Sequence, residues 1–273
     1  MPTPLDLRAL ALEMKTAQDS AHQIEPFTTR LPDFDLSAAY EVAHLIHRAR
    51  LAEGARPVGR KIGFTNPDMW AKFGVGEPIW AYIYDTTVVR LIDTQAACRL
   101  DKFVEPKIEP EIVFGFRAAP RAGAGPGEIL NAIDWVAHGF EIVQSHFPGW
   151  KFQAPDTVVD WALHATLLVG PPQPLARLGT DVIAALESFT IALSCGDRHV
   201  ETAKGSNVLG NPLSAIVHLL SVLAKQPEHA QLQAGEIVTT GTVTTARSVR
   251  AGEIWRSEVR GIALPGLTVE FLS

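Results

Sequence analysis

The chain reads as an α+β protein weighted towards β, and two textures carry that reading. Over the first fifty residues apolar side chains recur at helical spacing, whereas from Val58 onward they collect in short runs rich in Val, Ile, Thr and aromatics, separated by Gly and Pro. With 273 residues, 47% of them hydrophobic, there is enough chain for a sizeable core divided between a small lobe and a main domain. The expected division is a helical lobe and linker over residues 1–75 and a β-rich domain over 76–273.

The elements follow in order. Leu5, Leu7, Leu10, Leu12 and Met14 suit a first helix, and Ser37 to Leu51 repeats the pattern after an entry at Asp33 to Leu36. The segment ARPVGRKIGFTNPDM reads as loops around a short strand. Strands are expected in WAYIYDTTVVRLI, EIVFGF, DWVAHGFEIV, HATLLVG, FTIALSC, EIVTTGTV, EIWRSEV and LTVEFL. Two helices interrupt them: a short one at Gly127 to Ile133, and a longer one where Asn211 supplies an N-cap and Pro212 the first helical position before LSAIVHLLSVLAK.

Composition removes several classes of function. A net charge of -6 without a basic cluster offers no footprint for nucleic acid or an anionic membrane. Cys98 and Cys195 stand alone, without the spacing of a zinc site or a disulfide framework. The N-terminus alternates apolar and charged residues instead of forming a signal peptide, and no window approaches the ~20 apolar residues of a membrane span. A cytoplasmic protein is expected.

The chemistry gathers around acids. In KIEPEIVFGF, strand alternation sends Glu109 and Glu111 to one face, where two like charges at the edge of a core must be solvated, protonated, matched by cations or bound to a metal. Lys107 and Lys102 are the nearby partners if the strand is a wet edge. Glu141, in HGFEIVQSHF, precedes Ile-Val as Glu111 does, and three carboxylates suit a hard cation such as Mg²⁺ or Mn²⁺ as well as they suit pairing with Arg or Lys. In GRKIGFTN, Arg60 and Lys61 leave an extended chain on opposite sides, so one of them faces inward, as a charge partner or a proton donor.

Six stretches in this order, GRKIGFTN, IEPEIVF, GFEIV, FPGWKFQAPDTVVDWALHATLLVG, GSNVLGNPLSAIVHLL and AGEIVTTGTVTTA, resemble the 2-keto-4-pentenoate hydratase and 4-oxalocrotonate decarboxylase family of the fumarylacetoacetate hydrolase superfamily. The resemblance spans nearly the whole chain. It implies a mixed β-roll of the fumarylacetoacetate hydrolase C-terminal type with a helical N-terminal lobe, and a homo-oligomeric enzyme of aromatic catabolism. It implies that Glu109, Glu111 and Glu141 hold Mg²⁺ or Mn²⁺, that the cation chelates a 2-keto acid and stabilises its enolate, and that Lys61 transfers protons. Gly63, Phe64, Lys151 and Thr242 fall at substrate-facing positions. Trp150, Phe147, His138 and His146 read instead as core or satisfied side chains.

The sequence also departs from the family. Where hydratases carry A-D-N-A-S-S this chain has Val159 to His164, and where they carry P-D-F-G it has Pro78-Ile79-Trp80-Ala81. Either His164 stands in as a catalytic acid or base, on the same strand face as Ala162 if the strand reaches back that far, or it only hydrogen-bonds backbone at a strand start and the chemistry differs. Loss of those groups tells more against hydration than against decarboxylation. The alternatives are an acylpyruvate-type carbon-carbon hydrolase and a non-catalytic partner subunit of a hydratase/decarboxylase complex.

Overall fold

The structure is a computed structural model that describes residues 5–67, 70 and 75–273. The end of the expected linker, Asp68 and Met69, lies outside these residues. Helix α1 (Leu7–Ser20) starts where the Asp6 carboxylate accepts the Ala9 amide, α2 (Phe27–Arg30) is a single turn, and α3 (Leu36–Ala52) is capped in the same way by Asp35 on Ala38. Their apolar stripes bury Leu10, Met14, Phe27, Val42 and Ile46 against Ile79, Phe147, Val158 and Val159. The helical lobe thus shares its core with the β part.

The described strands are β1 (Pro57–Gly63), β2 (Ile79–Tyr84), β3 (Val88–Arg90), β4 (Gln95–Arg99), β5 (Lys107–Phe116), β6 (Ile133–Val143), β7 (His164–Val169), β8 (Gln173–Pro174), β9 (Thr190–Cys195), β10 (Arg198–Lys204), β11 (Ile237–Thr242), β12 (Arg247–Ser248), β13 (Ile254–Arg260) and β14 (Thr268–Leu272). One sheet runs β2-β1-β11-β5-β6-β7-β3, with β12 on β5 and β8 on β6; the second runs β10-β9-β13-β14-β4. Ile108, Phe140 and Ile142 of the first sheet pack with Leu193, Trp255 and Phe271 of the second. On the opposite face of the first sheet Ile83, Val113, Ala137, Leu167, Val169 and Ile237 form a dry plug.

Every β-rich run read from the sequence contains a strand, and the helix Pro212–Leu223 begins with the Asn211 side chain accepting the Leu213 amide. Gly205–Leu223 is apolar enough, at mean hydropathy 1.3, to meet the length and composition of a membrane span. Only Pro212–Leu223 of it is α-helix, however, and Leu213, Ile216, Leu219, Leu220 and Leu223 are buried in the main core. The short strand of the expected linker turns out to be β1, a central strand that pairs with β2 on one side and β11 on the other. Gly59 permits this, since a Cβ there would sit 2.0 Å from the Ile237 carbonyl oxygen.

Alternation in β1 buries Arg60 and Lys61 on opposite faces, so both face inward. Arg60, 1% exposed, lies 4.0 Å over the Tyr82 ring and pairs with Glu236 at 2.7 Å. His47 stacks on Tyr82 at 3.8 Å, and His229 meets Trp80 edge-on at 4.8 Å. Burial, reinforced by Arg60 and the neighbouring imidazoles, lowers His47 and His229 to about 4.

Both values lie below the ~6.5 of an unfolded histidine, so the fold favours the neutral rings. The stability they add is complete above about pH 6.5 and is lost as pH falls towards about 4. Urea midpoints should therefore drop between these pH values, and His229→Asn should shrink the drop. An equal drop in the variant would contradict this origin.

Candidate active site

The site grows from the inner face of β5, where alternation places Lys107, Glu109 and Glu111 in a row while Ile108 and Ile112 enter the cores behind. Glu141 on β6 lies directly across from Glu109. Pro110, which has no N–H to give, sits where β11 leaves the ladder, and its carbonyl accepts the Val243 amide. There β11 carries a bulge: Thr239 faces Val113 and Thr242 faces Glu111, three residues of β11 against two steps of β5. Gly241 makes the bulge at φ 89, and a Cβ there would lie 2.0 Å from Thr65 Oγ1. The bulge turns the Gly241 N–H to donate to Glu111 Oε2 at 2.9 Å, and the Thr239 hydroxyl donates to the same oxygen.

Each carboxylate is held differently. Glu141 takes His164 Nδ1 on Oε1 at 2.6 Å and Lys61 Nζ on Oε2 at 2.9 Å. Glu111 and Glu141 are both fully buried, and Glu111 Oε1 has no hydrogen-bond partner. The three glutamates bring one carboxylate oxygen each to within 4.8 Å of one another.

Burial pushes Glu109 up to about 7, helped by the charge on Glu141, and burial with Glu141 and Glu109 pushes Glu111 well above the usual range. Burial acts on Glu141 in the same sense, but Lys61 and His164 outweigh it and hold Glu141 low. Burial would lower Lys61, yet the three acids keep it raised, led by Glu141. Among the described residues, Lys61 pairs with Glu141 and Lys107 adds its charge beside Glu109, so that the three carboxylates face two ammonium groups, with Lys61 alone acting on Glu111. Three hard oxygen donors, more carboxylates than cations and an orphaned buried oxygen fit a hard divalent cation.

A pocket of about 200 Å³ opens above the acids. Lys61, Gly63, Phe64, Glu109 and Thr242 line it. Lys151 does not: it is exposed and lies outside the pocket wall. His164 stands behind Glu141, away from the wall, with its second nitrogen 2.9 Å from the Thr87 hydroxyl. Both ring nitrogens are thus engaged in fixing the carboxylate, and burial lowers the imidazole against the pull of Glu141.

The strand does not reach back to Trp161, so the expected sharing of a face by Ala162 and His164 does not arise. Trp161, Ala162 and Leu163 instead form a left-handed turn with φ of 57, 48 and 66. Such backbone costs about 1–2 kcal/mol per residue, and hydrogen bonds from Leu163 N to Asp160 O and from Gln144 N to Leu163 O hold it in place. The turn sets Ala162 and Leu163 into the pocket wall and sends the Trp161 indole to donate to the Tyr82 carbonyl.

Several wall residues escaped the sequence reading, Thr65, Asn66 and Phe152 among them. Trp150, expected in the core, lines the pocket, and Lys107, considered only as a partner for the acids, lies with its Nζ 3.5 Å from the Trp150 ring centroid. The K-x-E-x-E alternation was the available signal for Lys107. Phe147 is a core residue as expected; His146 pairs with Asp160 at 2.7 Å, and His138 bonds Ser257 at 2.8 Å.

No family model matches the chain. A 4-oxalocrotonate decarboxylase from a Pseudomonas species is 31% identical over 250 residues, covering 90% of this chain and 89% of its own. A 2-keto-4-pentenoate hydratase from Paraburkholderia xenovorans is 29% identical over 261 residues, covering 95% and 93%. Among solved structures, a 4-oxalocrotonate decarboxylase from Pseudomonas putida, complexed with magnesium and adipate, is similar with a TM-score of 0.89 and 27% identity over 100% of this chain and 99% of that one. A fumarylpyruvate hydrolase from Pseudomonas aeruginosa, in complex with Mn²⁺ and pyruvate, shares the fold at TM-score 0.58 and 15% identity, over 80% and 89%.

Crowding the acids should cost stability that a dication restores. Glu111→Gln, already neutral, should raise the melting temperature of metal-free protein by about 2–4 °C for each kcal/mol of relieved desolvation and should abolish the further rise on adding Mg²⁺. A variant that Mg²⁺ stabilises as much as the parent would place the cation elsewhere. His164→Asn should weaken Mg²⁺ by about 10–100-fold in calorimetry, as loss of a ligand-orienting bond does, and parental affinity would remove that role.

Proposed function

The chain belongs to the 4-oxalocrotonate decarboxylase and 2-keto-4-pentenoate hydratase family, metal-dependent lyases of the fumarylacetoacetate hydrolase superfamily that act on 2-keto acids, and from that premise we propose that it decarboxylates a 2-keto acid with Glu109, Glu111 and Glu141 as the ligands of Mg²⁺ or Mn²⁺. The bound cation supplies a Lewis acid for the carboxylate and 2-oxo oxygens of the substrate. The observation that carries the reading is Lys61. It is 3% exposed, ion-paired with Glu141 and lines the pocket, so it brings an ammonium proton to the place where charge develops.

In the proposed reaction the bond to a carboxylate conjugated with the 2-oxo group breaks and CO₂ leaves. The electron pair runs into the 2-oxo group, and one proton from Lys61 neutralises it; solvent then restores the ammonium. Hydration would need a second group to activate water. The described wall above the acids carries Thr65, Asn66, Thr242, Thr244 and Thr245 beside apolar side chains, but no histidine and no acid other than Glu109, which favours decarboxylation. His164 is proposed as a positioning residue that locks Glu141.

Proton NMR in D₂O with 2-oxopentanoate and Mg²⁺ tests the site without requiring its natural substrate. Deuterium should enter at C3, and Lys61→Met should slow its entry by about 10²–10⁴ while retaining the circular dichroism of the parent. Exchange at the parental rate would remove Lys61 from the mechanism.

A further inference from the structure

The hydrogen-bonded chain that holds Glu141 does not end at His164. Beyond the ring lies Thr87, whose hydroxyl oxygen is 2.9 Å from His164 Nε2 and which is no part of the pocket wall. The chemistry at the acids leaves this residue without a role.

Thr87 closes the turn between β2 and β3. Its amide donates to the Tyr84 carbonyl at 3.0 Å, and its own carbonyl accepts the Leu167 amide at 2.8 Å and the Thr166 hydroxyl at 2.9 Å. Arg56 grips the same turn through a 2.8 Å ion pair with Asp85. Thr87 is thus pinned between β2 and β7, the strand that His164 begins.

The count of hydrogens on the ring fixes what Thr87 must do. An ionised carboxylate only accepts, so the 2.6 Å contact with Glu141 Oε1 requires a hydrogen on His164 Nδ1. A neutral imidazole carries one such hydrogen, which leaves Nε2 as an acceptor in need of a donor. Among the described residues, the donor that reaches it is the Thr87 hydroxyl. That hydroxyl has one alternative, the Tyr84 carbonyl at 3.2 Å, but this oxygen already takes the Thr87 amide. Were the hydroxyl turned there, Nε2 would need a second hydrogen, and an imidazolium would join Lys61 on the same carboxylate. Hydrogen on Nε2 alone is no better, since it sets the Nδ1 lone pair against Glu141.

We propose that the Thr87 hydroxyl donates to His164 Nε2 and thereby selects the neutral ring with its hydrogen on Nδ1, the form that anchors Glu141 without neutralising it. Thr87 is a positioning residue: it acts on a bound cation only through His164 and Glu141. The claim on the cation rests on the metal reading of the three acids, whereas the claim on the ring does not.

Nitrogen-15 NMR of the imidazoles in metal-free protein reads the position of the hydrogen directly. His164→Asn identifies the His164 signals among those of the nine histidines by their loss. The parent ring should carry hydrogen on Nδ1 and none on Nε2. In Thr87→Val part of the hydrogen should move to Nε2, Mg²⁺ affinity measured by calorimetry should fall about 10-fold, and Thr87→Ser should keep the parental values of both. Thr87→Ala makes the same test without a branched side chain in the turn. Hydrogen on Nε2 in the parent overturns the proposal whatever the variants do, and so does a Thr87→Val or Thr87→Ala ring with the parental pattern. A ring that responds while Mg²⁺ affinity stays parental overturns the claim on the cation and upholds the claim on the ring. A parent that binds no Mg²⁺ removes the metal reading, and the spectra alone then decide the tautomer.

Discussion

The constraint that organises this protein is the confinement of three carboxylates and one ammonium in a volume shielded from water. Glu111 and Glu141 are fully buried, Glu109 sits beside them, and Lys61 forms its ion pair with one of the three, Glu141. Burying a charge without a partner costs several kcal/mol, so a fold that assembles this group must recover the cost through a ligand or through protonation. The raised Glu109 and Glu111 and the lowered Glu141 express that imbalance: Lys61 favours the charge on Glu141, and a dication held by all three would offset the rest.

Much of the irregular backbone serves the assembly. The bulge at Gly241 directs an amide at Glu111, the proline of β5 occupies the gap the bulge leaves, and the left-handed turn at Trp161 to Leu163 delivers His164 to Glu141. Strained conformations persist where surrounding contacts over-determine them. At the turn those contacts include the Tyr82 carbonyl on the Trp161 indole and, from the helical lobe, Arg50 of α3 over the Trp161 ring at 4.6 Å. Beneath the acids, the plug of Ile83, Val113, Ala137 and Leu167 keeps the floor of the site dry. Arg60, anchored to Tyr82 and Glu236 on the reverse of β1, fixes the strand that carries Lys61.

The sequence revealed what repeats locally. Alternation around Glu109 and Glu111, the apolar runs of the long strands and the Asn211-Pro212 helix start each depend on neighbours a few residues apart, and each can be read from one window. Pairing across long separations was hidden. Arg60 is paired with Glu236, 176 residues away, so two adjacent basic residues gave no hint that both would be buried. Strand β10 escaped for a different reason: its edge position leaves Arg198, His199, Glu201, Thr202 and Lys204 polar, without an apolar run to mark it. The turn at Trp161 to Leu163 has no glycine to announce positive φ, so alternation extended through it wrongly. Trp150 looked like an ordinary core aromatic because its role depends on Glu105 and Lys107 brought up from another strand.

A crystal structure of the protein with Mn²⁺ and oxalate, phased on the manganese anomalous signal, bears most directly on the central claim. The account requires one anomalous peak at coordination distance from Glu109, Glu111 and Glu141 together, about 2.0–2.2 Å, with oxalate completing the shell and Lys61 Nζ in hydrogen-bond reach of it. A peak that omits Glu111 or Glu141, or oxalate bound with the three acids empty of metal, would contradict it.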